Sequence, residues 1–148
     1  MTAKQPGLGL IHKVLMLFII VNIIGEVGNV IAWWAVPSMQ ISLNGGELNG
    51  VTSPASFLST WVGKENALII GSVLLLAVAA VYAFSLIGLS KKQKQAPLMI
   101  MGVSIVNRVI ALFIFAISVA FALWAVWTVI LVVVAYLDWR KMKAAQTA

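Results

Sequence analysis

Residues 67–89 form an apolar stretch of 23 residues that carries no charge, which is the length a helix needs to cross the roughly 30 Å hydrocarbon core of a bilayer. Backbone in lipid must satisfy its own hydrogen bonds, so a chain built on such a run folds as spanning helices. A comparable run covers residues 14–35, ending ahead of Pro37, a residue that disfavours helix in its predecessor. The composition agrees. Apolar residues make up 62% of the chain and charged ones 9%, with a mean hydropathy of +1.06, well above the roughly 45–50% apolar share of a soluble domain.

The remaining apolar sequence, residues 98–137, is 40 residues long. One helix of that length would extend about 60 Å, twice the hydrocarbon thickness, so it must fold back. The reversal is expected near residues 117–121, with Ser118 satisfying a freed backbone group. Spans are therefore expected at 14–35, 67–89, 98–116 and 121–137 in a single domain covering 1–148. The fold class is all-α: an integral membrane four-helix bundle with a short interfacial helix in its first extracytoplasmic loop.

Charge placement supports four spans independently. Lys4, Lys13, Lys91, Lys92, Lys94, Arg140, Lys141 and Lys143 fall on one side, while Lys64, Glu47 and Glu65 fall on the other. By the positive-inside rule the first side is cytoplasmic and holds both termini. The expected location is a bacterial or archaeal plasma membrane. The leader reads as an uncleaved first span, because Trp33 and Trp34 stand where a cleavage site needs small residues. These two tryptophans are expected in the interfacial aromatic belt.

The long loop, 36–66, holds an NGGELNG turn core and then a short helix. Ser53 is expected to cap it, Pro54 to enter it and Gly63 to end it. Phe57, Leu58, Trp61 and Val62 are expected on one face, with the helix lying on the membrane, roofing the bundle or forming a lid over a cavity. A second loop is expected at 90–97. Small residues at Gly71, Ser72, Ala79 and Ala83 mark a packing face of the second span.

Two charged residues lie inside the apolar runs, Glu26 and Arg108. A carboxylate at the centre of a spanning helix costs roughly 2.5–3.5 kcal/mol on insertion scales, so it needs compensation. Counting about 1.5 Å per residue from the cytoplasmic ends places Glu26 about 18 Å deep and Arg108 about 15 Å deep, with Tyr82 and Thr128 at about 11 and 14 Å. Each helix thus offers a polar group to one layer. Helical spacing puts Asn22, Glu26, Asn29 and Trp33 on one stripe, Ser104, Arg108, Ala111, Phe115 and Ser118 on a second, and Trp124, Thr128, Leu131, Ala135 and Asp138 on a third. The candidate binding or ion-pair residues are therefore Glu26, Arg108, Asn22, Asn29, Asn107, Tyr82 and Thr128.

Three readings of this layer remain open. Glu26 and Arg108 form a buried ion pair, satisfied by the asparagines, that fixes helix register. Alternatively, a water-accessible cavity lets Glu26 take a proton or cation, or Arg108 an anion. In the third, both face a partner protein.

Other chemistries find little support. The chain has no cysteine and one histidine, His12, so neither a thiolate nor a His-rich metal centre is expected, and no cofactor. The net charge of +6 sits in short clusters beside apolar runs, fitting lipid headgroups rather than nucleic acid. No Ser and His arrangement or phosphate loop suggests an enzyme, although lipid or quinone binding among Trp124, Trp127 and Tyr82 can be envisaged.

The residues IIGEVGNV, 23–30, superficially resemble the carboxylate-bearing first helix of the small multidrug-resistance exporters. The 31-residue loop, the absence of a glycine-rich third-helix motif and the strong charge asymmetry depart from that family, and no family is assigned. The function expected is a non-catalytic accessory, structural or regulatory subunit, with membrane lipids and a homo-oligomeric or membrane-protein partner. The alternative is a small oligomeric transporter or channel.

Overall fold

The computed structural model describes residues 8–115 and 119–147. In chain order it contains α1 (Leu8–Ala35), a 3-10 turn (Pro37–Gln40), α2 (Ile41–Asn44), β1 (Gly46–Leu48), β2 (Val51–Ser53), α3 (Phe57–Val62), α4 (Lys64–Ser90), α5 (Gln95–Ile114) and α6 (Val119–Thr147). Helices α1, α4, α5 and α6 are each long and apolar enough to cross a membrane. The chain is a small integral membrane protein with an all-α four-helix architecture.

The helices outrun the apolar segments. α1 starts at Leu8 and α6 runs on to Thr147, because the bilayer limits the apolar run while helical hydrogen bonding continues through polar ends. The expected loop at 90–97 shrinks to residues 91–94. Pro97 lies in the first turn of α5, where its missing N–H costs nothing. This turn is tight: a Cβ on Gly88 would come within 2.9 Å of the Ala96 Cβ.

α5 ends at Ile114, with Phe115 extended at φ −112° and ψ 143°. α6 begins at Val119, so the reversal comes slightly earlier than residues 117–121. Ser118 lies outside the described residues.

The four long helices form a ring in the order α1, α4, α5, α6, with α1 and α5 diagonal and the α1–α6 seam the sparsest. Two apolar clusters fill it. One, on the side of the chain termini, holds Leu15, Ile19, Val78, Leu89, Ile100, Leu131 and Ala135. The other, on the loop side, holds Val30, Trp33, Leu43, Ala67, Leu75 and Ile114.

The loop is a roof. Ser56 N–H donates to Leu43 O at 3.0 Å and Ser59 Oγ to Asn44 Oδ1 at 2.9 Å, tying α3 to α2. The cap on α3 is Ser56, which accepts from Ser59 N–H; Ser53 belongs to β2 instead. The NGGELNG segment supplies β1 and the turn of a two-stranded hairpin with β2, and the turn residues Asn49 and Gly50 have φ of 52° and 79°. Asn-Gly suits such turns because both residues tolerate positive φ.

The expected apolar face of α3 divides. Leu58 and Val62 pack on the core, while Phe57 and Trp61 point outward and stack with Phe113 of α5. The Trp pair divides as well. Trp33 is not in an aromatic belt: it is 1% exposed, donates to Ser42 Oγ and presses on Gly71, where a Cβ would lie 3.3 Å from its ring. Trp34 is exposed and donates to Ser72 Oγ.

Candidate functional site

Between the two apolar clusters lies a polar layer to which all four spans contribute. Asn107 Nδ2 of α5 donates to Glu26 Oε1 of α1 at 2.7 Å, across the diagonal of the ring. Trp127 Nε1 of α6 donates to Asn22 Oδ1 at 2.7 Å while its ring tilts against Phe18. The Tyr82 hydroxyl of α4 lies 3.0 Å from Ser104 Oγ of α5. Interhelical hydrogen bonds of this kind contribute about 0.6–2 kcal/mol each in a membrane. They also fix the rotation of each helix.

Arg108 is held differently. Its Nε and Nη2 donate to the single Oγ1 of Thr128 at 3.1 and 2.9 Å, and the Thr128 hydroxyl donates in turn to Trp124 O at 2.9 Å. A hydroxyl has one hydrogen and two lone pairs, so Thr128 is saturated. The guanidinium also lies over the Phe121 ring, 5.4 Å from its centroid. Three of its five N–H donors find no acceptor among the described residues.

A direct Glu26–Arg108 ion pair does not form. Among the described residues the one contact within 4.0 Å between a carboxylate and a basic side chain is His12 with Asp138. Arg108 follows Asn107, and neighbouring positions on a helix point about 100° apart. Asn107 faces the diagonal partner α1, and Arg108 is thereby turned toward α6. Glu26 and Asn29 are half-buried, and neither Glu26 Oε2 nor the Asn29 carboxamide carries a hydrogen bond among the described residues. The candidates are thus brought to one level, but as separate pairings: Glu26 with Asn107, Asn22 with Trp127, Tyr82 with Ser104, and Arg108 with Thr128.

A second polar cluster was not singled out from sequence. At the side of the termini, His12 Nε2 lies 2.7 Å from Leu89 O and Nδ1 lies 2.9 Å from Asp138 Oδ2. Asp138 is fully buried, and its Oδ1 has no partner among the described residues. The cluster joins the start of α1, the end of α4 and the end of α6. Its signal was present: Asp138 ends the inward stripe of the last helix, and His12 is the one imidazole at the matching level.

No family model, curated protein or solved structure matches this chain.

Proposed function

We propose that this protein is a non-catalytic accessory or regulatory subunit of a membrane, with both termini on the cytoplasmic side. The observation that supports this is the filling of its interior on both sides of the polar layer. Leu15, Ile19, Ile100, Leu131 and Ala135 close the side of the termini, and Val30, Trp33, Leu75 and Ile114 close the loop side, none more than 9% exposed. A bundle of four helices filled in this way offers no aqueous route, so its polar layer serves to set helix register. The cation clusters beside the spans support the orientation and suit anionic lipid.

The second reading, a small oligomeric transporter, draws on the unfilled hydrogen-bonding positions of Glu26 and Arg108. Glu26 would take a proton or cation, or Arg108 an anion. Purified protein in liposomes loaded with a pH-sensitive dye separates the two. The accessory reading expects proton flux equal to that of empty liposomes. Flux that depends on the protein and vanishes in Glu26→Gln would replace it with the transport reading.

A further inference from the structure

Where α6 leaves the apolar run it carries an open cavity of about 590 Å³, lined by Tyr136, Trp139, Arg140, Lys143 and Ala144. These residues stand at i, i+3, i+4, i+7 and i+8, so they share one face of the helix. Four residues apart, Val129 and Val133 continue that face into the apolar run, and both are exposed. The one acidic residue at this end of the bundle, Asp138, is turned inward against His12. The face therefore passes from aliphatic to aromatic to cationic along its length, with no carboxylate on it.

Aromatic rings place the two cations. The Arg140 guanidinium carbon lies 5.9 Å from the Tyr136 ring centroid, and Lys143 Nζ lies 5.1 Å from that of Trp139. The two rings are tilted against each other with centroids 5.9 Å apart. A cation resting on a ring face keeps its N–H donors, whereas a carboxylate would occupy them. Arg140 has no carboxylate within 4.0 Å among the described residues. By contrast, Lys91, Lys92 and Lys94 stand exposed around the α4–α5 turn and make no such ring contact among the described residues.

We infer that this cavity holds the headgroup of an anionic phospholipid. Arg140 and Lys143 donate to the phosphodiester oxygens, a geometry that a planar guanidinium suits in particular. Tyr136 and Trp139 stand at the level of the glycerol esters, where amphipathic rings are favoured. One acyl chain runs along Val133 and Val129, over about 10 Å of helix. Selectivity follows from charge complementarity: two cations facing no acid attract a head of net negative charge, whereas a choline head neutralises its own phosphate. The leaflet rests on the cytoplasmic placement of the termini in the accessory reading, but the binding itself does not. Detergent micelles have no sides, so a failure in the experiment below is distinct from a failure of that reading.

Native mass spectrometry of detergent-solubilised protein, titrated with phosphatidylglycerol or with phosphatidylcholine of the same chains, tests the site. The wild type should retain one phosphatidylglycerol at concentrations where phosphatidylcholine is lost. The double variant Arg140→Gln, Lys143→Gln should bind it about thirty-fold more weakly, two cations at about 1 kcal/mol each. Both side chains are exposed, so its helix content should match the wild type. Lys91→Gln with Lys92→Gln removes the same charge elsewhere on that side and should bind as the wild type does. Four results overturn the proposal: equal retention of the two lipids, equal weakening in the two double variants, displacement of the lipid by an equal concentration of soluble glycerol phosphate, or a protein dimer that only the Arg140 and Lys143 substitutions dissociate.

Discussion

His12 Nδ1 and Asp138 Oδ2, 126 positions apart in the chain, meet at 2.9 Å. The Leu89 carbonyl can only accept, so His12 Nε2 carries a hydrogen. The 2.9 Å contact between Nδ1 and Oδ2 then requires a second hydrogen between ring and carboxyl group. That contact gives a hydrogen-bond partner to a carboxyl group with no exposed surface. The imidazole also meets a carbonyl at the end of α4, where donors and positive charge are favoured.

His12→Ala strands Asp138 in the core and should destabilise the protein by about 3–5 kcal/mol, the cost of removing one partner of a buried pair. Adding Asp138→Leu should recover most of that loss. Thermal unfolding in detergent measures both. A single variant as stable as the wild type would show that the contact contributes nothing.

Glu26→Gln should be mild, costing about 1–2 kcal/mol, because a glutamine oxygen can still accept from Asn107 Nδ2. In double-mutant cycles the Glu26–Asn107 coupling should exceed that of Glu26 with Arg108, the latter being below about 1 kcal/mol. The reverse order would mean that the two charges are in direct contact.

Thr128→Val removes the one acceptor that Arg108 has among the described residues and should cost about 1–3 kcal/mol, with Thr128→Ser close to the wild type. Equal stability of the valine and serine variants, compared by chemical denaturation, would refute the role of that oxygen.

Gly88→Val pushes a side chain into Ala96, which a Cβ alone would already approach to 2.9 Å. Overpacking of this kind should cost about 1–3 kcal/mol. A melting temperature equal to that of the wild type would place the α4–α5 turn differently.

Orientation can be read with single cysteines, since the chain has none of its own. In intact cells a membrane-impermeant maleimide should label Glu47→Cys and spare Lys92→Cys until the membrane is permeabilised. The opposite pattern would invert the topology.

Much of the layer was legible before any coordinates. Asn22, Glu26, Asn107 and Arg108 stand out as polar residues in apolar runs, and counting helical rise from the ends puts Glu26 and Arg108 at nearly one depth, in keeping with the hydrogen bond from Asn107, the neighbour of Arg108, to Glu26. The inward stripe of the last helix was readable in its second half, where Leu131, Ala135 and Asp138 are buried, whereas Trp124 at its start is exposed. Trp33 was misread because a tryptophan near the end of a span commonly lies in the interface. Here Gly71 of α4 receives it, with Leu43 of the nearby loop packed in the same cluster. The β-hairpin went unread as strands because three-residue strands carry too little alternation to register, although its Asn-Gly turn was visible.

The sequence by itself determined the four long apolar helices and the fold-back of the last 40 apolar residues. These follow from hydrocarbon thickness and helical rise, which act along one chain segment at a time. Only the tertiary structure decided which polar group meets which. That depends on how each helix is rotated against its neighbours, and a rotation that turns Asn107 toward Glu26 necessarily carries the adjacent Arg108 about 100° away, onto Thr128.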